Sequence, residues 1–187
     1  MPETNFASRA GEKLQFALDQ FQISVKDKIC ADLGSSTGGF VSCLLMNGAS
    51  KVYSVDVSYG EFAWVLRNDP RVVLLERTNA LHVTLPEKVD FISTDVGFTK
   101  QSLILPACLK NLKQGGTIIS LIKPHYEAQK HQLIKGKLLE DAITEVVTSV
   151  VDSVKKMPGI EVRGLIESPI KGERGGNTEY LLFITAL

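Results

Sequence analysis

The sequence lacks any excess of charge of one sign. Of its 187 residues, 21 are Lys or Arg and 21 are Asp or Glu, so the formal net charge at pH 7 is zero. A polyanion would therefore have to be held by a local basic surface, because the molecule as a whole exerts no net attraction on it. Composition by itself neither favours nor excludes an RNA partner.

Cysteine is also scarce, and long hydrophobic runs are absent. Cys30, Cys43 and Cys108 are odd in number and scattered through apolar segments, which is typical of reduced thiols in a cytoplasm. The histidines form no ligand spacing with them, so no metal site is expected. No apolar run approaches the roughly 18 residues of a membrane span, and nothing resembles a signal peptide. We therefore expect a soluble, cytoplasmic protein without membrane contact.

Strand and helix patterns alternate along a chain whose length suits one domain, expected over residues 1–187. Such alternation predicts an α/β fold in which helices cover both faces of a mostly parallel, seven-stranded sheet. The last connection is too short for a crossover helix, so the final strand should be antiparallel. The predicted helices are 8–21, 39–47, 61–67, 101–112 and 138–156, and the predicted strands are 29–33, 51–56, 72–75, 89–94, 117–122, 161–166 and 179–185.

A glycine-rich turn follows the first predicted strand. The run CADLGSSTGGF, residues 30–40, places an aspartate at the strand end and three glycines before a helix. Glycines let the backbone bend sharply and approach a ligand closely. The pattern is not G-x-G-x-x-G, and a carboxylate just before the first glycine suits a cationic ligand better than a pyrophosphate. The spacing favours S-adenosylmethionine over NAD, bound by Asp32, Gly34, Ser35, Ser36, Thr37, Gly38, Gly39 and Phe40.

Two further candidate cofactor residues follow the next strands. Asp56 ends the second predicted strand and is placed to accept hydrogen bonds from two ribose hydroxyls. Asn79 follows the third strand, where it either reaches the adenine ring or is an ordinary loop residue. A tight turn that binds no ligand is the competing interpretation, and an acid after each of the first two strands argues against it.

Three more polar residues are predicted at the same edge of the sheet. Asp95 follows the fourth strand, Lys123 ends the fifth, and Glu179 begins the last, whose antiparallel direction brings its start to that edge. A lysine at the end of an apolar strand needs partners, and two carboxylates supply them. Taken singly, each residue is interpreted as a salt-bridged strand end. Together, beside a cofactor turn, they indicate an active site.

Several longer runs resemble the FtsJ family of RNA ribose methyltransferases, and most closely its TlyA branch, often labelled haemolysins. They are SRAGEKL at 8–14, DLGSSTGGF at 32–40, VYSVDVSYG at 52–60, LRNDPRVVLLERTNA at 66–80, KPHYEA at 123–128 and GNTEYLL at 176–182. The resemblance implies a Rossmann-like class I methyltransferase fold and a Lys-Asp-Lys-Glu catalytic tetrad. By position the tetrad falls on Lys13, Asp95, Lys123 and Glu179. The residues alone do not single out Lys13, because a lysine on an amphipathic helix is usually solvated.

The activity that the resemblance implies is methyl transfer from S-adenosylmethionine to a ribose 2′-hydroxyl, on a cytidine of ribosomal RNA. We expect Lys123 to be the base, with a pKa depressed by burial and by the like charge of Lys13. Asp95 would position Lys123 and the methyl donor, Glu179 would orient the ribose or Lys13, and Lys13 would steady the substrate. The alternatives are a non-catalytic module that binds cofactor or RNA, and a haemolysin-like protein.

Ribosomal RNA or a ribosomal subunit, as partner, would be held by basic residues near the active edge. Proteins of this branch usually carry a small RNA-binding domain before the SRAGEKL run, so this chain is either a fragment or a shortened relative. The candidate RNA contacts are Arg9, Lys13, Lys130, His131, Lys135, Lys137, Lys171 and Arg174.

Overall fold

A mixed sheet of seven strands is the centre of the computed structural model, which describes residues 6–134, 137–172 and 176–187. The strands are β1 (Ile29–Leu33), β2 (Lys51–Val55), β3 (Val72–Leu75), β4 (Val89–Thr94), β5 (Leu112–Ile122), β6 (Ile160–Glu167) and β7 (Tyr180–Ala186). Across the sheet the order is β3-β2-β1-β4-β5-β7-β6. The pairs among β1 to β5 are parallel, whereas β7 lies antiparallel between β5 and β6. The predicted α/β fold and its antiparallel last strand are confirmed.

Helices cover both faces of this sheet. Within the described residues they are α1 (Ala10–Gln20), α2 (Gly39–Met46), α3 (Trp64–Arg67), α4 (Gln101–Asn111), α5 (Pro124–Glu127) and α6 (Ile143–Lys155). The connection between α5 and α6 has its own local structure. It contains the 3-10 turns Lys130–Gln132 and Glu140–Ala142 and two short antiparallel strands, Leu133–Ile134 and Lys137–Leu138.

The core has two layers because neighbouring residues of a strand point to opposite faces of the sheet. Ile119 and Leu121 of β5 belong to the layer formed with α1 and α2. Ile118 and Ile122 belong to the layer formed with α4 and α6. The central strands are therefore apolar along most of their length, and polar side chains collect where the strands end.

The helix predicted at 138–156 begins later than its sequence pattern indicates. In the structure α6 starts at Ile143, and Leu138 pairs with Leu133 in the short antiparallel ladder. Leu138 is buried in a small cluster with Ala142 and Val146. Its apolar character thus serves packing against α6, a case that helical periodicity does not distinguish from membership in the helix.

The helix predicted at 61–67 is shorter than expected. Only Trp64–Arg67 is helical. The preceding loop is held by carboxylates, since Asp56 accepts the N–H of Ser58 and Glu76 accepts the N–H of Gly60. The first bond is local, whereas the second joins residues 16 positions apart, and together they fix an irregular backbone that helix propensity does not predict.

The fifth strand is longer than predicted. It begins at Leu112, which pairs with Val89, and the register of this pairing shifts before Thr117. The irregular step contains two adjacent glycines, Gly115 and Gly116. Glycine weakens a strand pattern in the sequence, although the structure tolerates it at such a shift.

Candidate active site

The glycine-rich turn lies directly against the end of β4. Gly34 has a φ of +90°, and a Cβ atom there would lie 2.5 Å from the carbonyl oxygen of Asp95. The N–H groups of Gly34 and Ser35 both donate to the carbonyl oxygen of Val55. Only glycine combines this backbone conformation with such a close approach. The turn thereby joins the ends of β1, β2 and β4.

Asp32 is buried beside this turn with one carboxylate oxygen unpaired. The hydroxyl of Ser93 donates to its Oδ1 at 2.8 Å, whereas Oδ2 has no hydrogen-bond partner among the described residues. Burial raises the pKa of Asp32 to about 7, with the Ser93 bond opposing the shift and the charge of Asp95 adding to it. A buried oxygen without a partner needs an explanation, and a bound donor or cation supplies one. The amino group of S-adenosylmethionine fits this requirement.

Asp56 fastens the turn to the end of β2. Its Oδ2 accepts the backbone N–H of Ser36 and its Oδ1 accepts that of Ser58, both at 2.7 Å. The first bond holds Ser36 at a φ of +47°. Each carboxylate oxygen keeps a second acceptor direction. The predicted bonds to ribose hydroxyls are compatible with this geometry and stay a prediction.

Asn79 caps a turn that follows β3. Its Oδ1 accepts the N–H of Leu81 at 2.9 Å, and its carbonyl oxygen accepts the N–H of His82. Asn79, Asp56 and Gly38 are the predicted cofactor residues that do not line the main cavity of the site. The geometry favours the loop interpretation of Asn79, and contact with adenine stays a prediction.

Two ion pairs lie across from the turn. The amine of Lys123, at the end of β5, is 2.6 Å from Oδ1 of Asp95. The amine of Lys13, on α1, is 2.6 Å from Oε2 of Glu179, directly before β7. The side chains of the first pair are 19% exposed, whereas those of the second are nearly inaccessible. The structure thus brings together the four residues of the expected tetrad.

Helix α1 carries Lys13 into the site by packing against α2. A Cβ atom at Gly39 would collide with the hydroxyl of Ser8 and with Ala10, so the start of α1 touches the backbone of the glycine turn. Leu14 and its apolar neighbours on α1 are buried in the core layer of α2. Lys13 is therefore a charged residue on the buried side of an amphipathic helix, which the sequence pattern does not reveal.

The pKa of Lys123 is raised, so the expectation of a depressed value is wrong. Burial works to lower this pKa, but direct contact with Asp95 and the charge of Glu179 outweigh it. Lys13, whose repulsion was expected to depress it, is instead paired with Glu179. In the free protein Lys123 is therefore an ammonium group.

A cavity of about 370 Å³ separates the turn from the ion pairs. All four tetrad residues line it, and Gly97 and Gly172 also contribute to its wall. Within the part of the chain that the structure describes, no group of three His, Cys, Asp or Glu side chains is placed to hold a metal ion. The predicted cofactor residues that line the cavity are Asp32, Gly34, Ser35, Ser36, Thr37, Gly39, Phe40 and Asp95.

Three aromatic residues at the cavity were missed by sequence reasoning. The ring of Tyr126 packs between Phe98 and His125, with centroid distances of 4.7 Å and 4.1 Å. Phe98 is 81% exposed and has a φ of +54°, which is uncommon for a bulky residue. Burial and then the charge of Lys123 lower the pKa of His125, so its ring is mostly neutral at pH 7. The position of His125 and Tyr126 next to Lys123 was an available signal, whereas nothing in the sequence marks Phe98.

Most of the predicted RNA contacts are exposed. The guanidinium of Arg9 donates to the carbonyl oxygen of Lys171 at 3.4 Å, so the start of α1 meets the loop after β6. Lys13 differs from the others because it is buried against Glu179. Lys135 and Arg174 lie outside the described residues. The exposed candidates are Arg9, Lys130, His131, Lys137 and Lys171.

Known proteins resemble this chain over nearly its whole length. The model of the FtsJ-like methyltransferase family matches residues 6–185. YqxC of Bacillus subtilis is 42% identical over 96% of this chain. The 16S/23S rRNA (cytidine-2′-O)-methyltransferase TlyA of Mycobacterium tuberculosis is 39% identical over 97% of this chain, and the match covers 69% of the length of that TlyA protein. A solved structure of a Streptococcus thermophilus protein described as a hemolysin has a TM-score of 0.91 and 39% identity, covering 98% of this chain and 68% of that one.

This chain is shorter than the curated relatives that it matches. It spans about two thirds of the curated relatives, and 65% of YqxC. The family match nevertheless includes residues of every strand of the sheet and both ion pairs of the site. The chain therefore belongs to the FtsJ-like methyltransferase family.

Proposed function

We propose that this chain transfers a methyl group from S-adenosylmethionine to a ribose 2′-hydroxyl of ribosomal RNA, on a cytidine. The observation that carries the proposal is the pairing of Lys123 with Asp95 and of Lys13 with Glu179 on one wall of the cavity, across from the glycine turn. Ammonium and carboxylate groups at one strand edge, beside a cofactor turn, suit proton transfer and alignment for an in-line displacement. The name of the TlyA relative supports the choice of substrate.

The cofactor would be held by residues at the ends of β1, β2 and β4. Bound S-adenosylmethionine supplies an activated methyl group on a cationic sulfur. We assign its amino group to the free oxygen of Asp32 and its ribose to Asp56, with Asn79 as a candidate for the adenine side. The backbone from Gly34 to Phe40 would form the surface against which the cofactor lies. The absence of a side chain at Gly34 lets this surface lie directly against the backbone of Asp95, at the end of β4.

We assign Lys123 as the general base, with one change from the sequence expectation. Its pKa is raised in the free protein, so the ammonium must lose a proton before it can accept the one from the 2′-hydroxyl. A cationic ligand beside Asp95 would compete for that carboxylate and lower the pKa of the lysine. Asp95 would orient the amine, and the buried pair of Lys13 and Glu179 would hold the ribose in place.

RNA would be bound by a basic rim and a stacking surface. Lys130, Lys137 and Lys171 are exposed and free to meet phosphates as point charges. The outward face of Phe98 offers a surface for an unstacked base, because aromatic rings bind bases without regard to sequence. The neutral imidazole of His125 offers hydrogen-bonding atoms beside it.

We further propose that residues 1–187 form one methyltransferase domain that acts on a ribosomal subunit in the cytoplasm. The described residues include no helix that is both long and apolar enough to cross a membrane.

The test is transfer of a tritiated methyl group from S-adenosylmethionine to purified ribosomal subunits from a strain without the corresponding modification. We expect label in ribosomal RNA at one nucleotide, and resistance of the adjacent phosphodiester to alkali as the mark of 2′-O-methylation. Cofactor binding without transfer to any subunit would indicate a binding module. Release of dye from liposomes at physiological salt, without methyl transfer, would indicate a membrane-damaging protein.

A further inference from the structure

Two residues outside the tetrad connect the segments that carry Asp95 and Lys123. Glu127 ends α5, the short helix that begins directly after Lys123. Its Oε1 accepts the backbone N–H of Gln101 at 2.7 Å. Gln101 is the first residue of α4, which follows the loop that begins with Asp95. The segment that carries Asp95 and the segment that carries Lys123 are thus joined by this hydrogen bond as well as by the ion pair.

The bond from Gln101 to Glu127 satisfies a backbone group that helix geometry leaves without a partner. The first N–H groups of an α-helix have no acceptor within the helix. Lys100 precedes α4 in an extended conformation, and its side chain makes no capping hydrogen bond. Glu127 supplies the acceptor from 26 residues away and places a carboxylate at the positive end of the helix dipole. Glu127 therefore caps α4 from a different segment.

The side chain of Gln101 forms two hydrogen bonds with the end of β5, directly before Lys123 in the chain. Its Nε2 donates to the carbonyl oxygen of Leu121 at 3.2 Å, and its Oε1 accepts the hydroxyl of Ser120 at 2.6 Å. Gln101 is 3% exposed, so these bonds do not compete with water. One residue thus contacts the chain both before and after Lys123.

Burial makes these contacts hard to replace. Burial raises the pKa of Glu127, while the bond from Gln101 and the charge of Lys100 oppose the shift. Removal of the carboxylate would leave the N–H of Gln101 without an acceptor at the end of a packed helix. The arrangement therefore restricts the backbone that presents Lys123, which is otherwise a long and flexible side chain.

We propose that Glu127 and Gln101 are positioning residues that hold the Lys123 amine against the Asp95 carboxylate, a role that rests on the proposed methyl transfer. Neither residue lines the main cavity, so neither touches substrate or cofactor there. Loss of the Glu127 contact frees the chain after Lys123 and lengthens the distance between amine and carboxylate. The turn that would bind the cofactor belongs to β1 and keeps its own bonds to Val55 and Asp56.

The test compares Glu127→Ala, Glu127→Gln and Glu145→Ala. Glu145 is the matched control, because it lines the same small second cavity as Glu127 but is exposed on α6. We expect Glu127→Ala to lower kcat for RNA methylation by about tenfold to a hundredfold, since small displacements of a catalytic group have effects of this order. The affinity for S-adenosylmethionine and the KM for RNA should stay nearly constant. Glu127→Gln keeps an acceptor oxygen and should recover most of the activity, and Glu145→Ala should match the parent protein.

A second measurement does not depend on activity. Competitive acetylation of the folded protein reports how available each lysine amine is, and the ion pair should shield Lys123. We expect Lys123 to react several-fold faster in Glu127→Ala, whereas Lys113, paired with Asp90 at 2.7 Å at the other end of β5, should react as before. An unchanged acetylation rate of Lys123 would overturn the positioning role, as would a loss of activity explained by lower cofactor affinity or lower Tm. If the parent protein methylates no RNA, the proposed function fails, while acetylation of Lys123 still decides the positioning role.

Discussion

The amine of Lys13 and the carboxylate of Glu179 form a buried ion pair at 2.6 Å, although 166 residues separate them in the chain. Their side chains are 7% and 4% exposed. The pair joins α1 to the residue directly before β7, and both of its side chains line the cavity. Removal of two charges from water is costly, and their attraction offsets that cost only while both partners are present.

Replacement of one partner of this pair should destabilise the protein strongly. We expect Glu179→Ala to lower the free energy of unfolding by about 3 to 5 kcal/mol, because Lys13 is left as a buried charge without a partner. The apolar double variant Lys13→Met with Glu179→Leu should recover much of that stability and yet show no methyl transfer. Urea unfolding followed by circular dichroism measures the stability. A loss below about 1 kcal/mol in Glu179→Ala would mean that the pair is solvated.

Lys123→Ala should abolish methyl transfer and leave the affinity for S-adenosylmethionine nearly unchanged. The amine is the proposed base, whereas the residues assigned to the cofactor lie mainly at the ends of β1 and β2. Lys113→Ala is the matched control, because Lys113 lies on β5, which ends directly before Lys123, and also pairs with an aspartate. Calorimetry measures cofactor binding and tritium transfer measures activity. Parent-level activity in Lys123→Ala would refute the assignment of the base.

Cofactor binding should strengthen as pH rises through the pKa of Asp32. This pKa is about 7, so the carboxylate that would receive the cofactor amine is mostly neutral at pH 6 and becomes ionised above pH 7. We expect several-fold tighter binding of S-adenosylmethionine at pH 7.5 than at pH 6, measured by calorimetry. Asp32→Asn should bind weakly at both values, and an equal pH dependence in that variant would assign the effect to another group.

The carboxyl group of Asp32 should also make the folded protein less stable as pH rises, whereas it makes cofactor binding stronger. The pKa of Asp32 is raised by folding from 3.8 to about 7, so the folded state binds more protons than the unfolded state between these values. Its contribution to stability is therefore greatest below pH 3.8 and is lost as pH rises to 7. Asp32→Asn should be more stable than the parent protein at pH 8, by up to a few kcal/mol, and this advantage should shrink at pH 5. Denaturant midpoints at the two pH values measure the difference.

Gly34→Ala should disturb the site far more than an equivalent change elsewhere. Gly34 has a positive φ and meets the backbone of Asp95, whereas Gly115 has a φ of +71° with no atom within 4 Å of an added Cβ. Both variants carry the backbone strain of about 1 to 2 kcal/mol that a left-handed alanine brings. Only Gly34→Ala should also reduce affinity for S-adenosylmethionine by tenfold or more, measured by calorimetry. Equal effects of the two substitutions on binding would show that the close approach to β4 is unimportant.

Removal of exposed lysines from the connection between α5 and α6 should weaken RNA binding and reduce the dependence of its affinity on salt. We expect Lys130→Ala with Lys137→Ala to raise the KM for RNA and to reduce the slope of log affinity against log salt by about one to two. The control is Lys155→Ala with Lys156→Ala, at the C-terminal end of α6, where neither residue lines the cavity. An unchanged salt slope in the first variant would show that these lysines do not meet phosphates.

The sequence by itself determined the sheet, the glycine-rich turn and the strand-end residues Asp95, Lys123 and Glu179. This was possible because those features are local or periodic: apolar runs mark covered strands, and polar residues mark their ends. Family resemblance added Lys13, which periodicity had assigned to solvent. The boundaries of α3 and α6 were wrong because loop bonds and packing between distant residues set them.

Only the tertiary structure decided the electrostatics of the site. The prediction of a depressed pKa for Lys123 failed because direct contact with Asp95 and the charge of Glu179 outweigh burial. Lys13, whose repulsion was expected to lower that pKa, is itself paired with Glu179. The unpaired oxygen of Asp32 and the exposed ring of Phe98 likewise depend on which groups fold together and which stay open to solvent. A sequence pattern gives the positions of charges along the chain, but a pKa depends on distances and burial in three dimensions, which folding alone fixes.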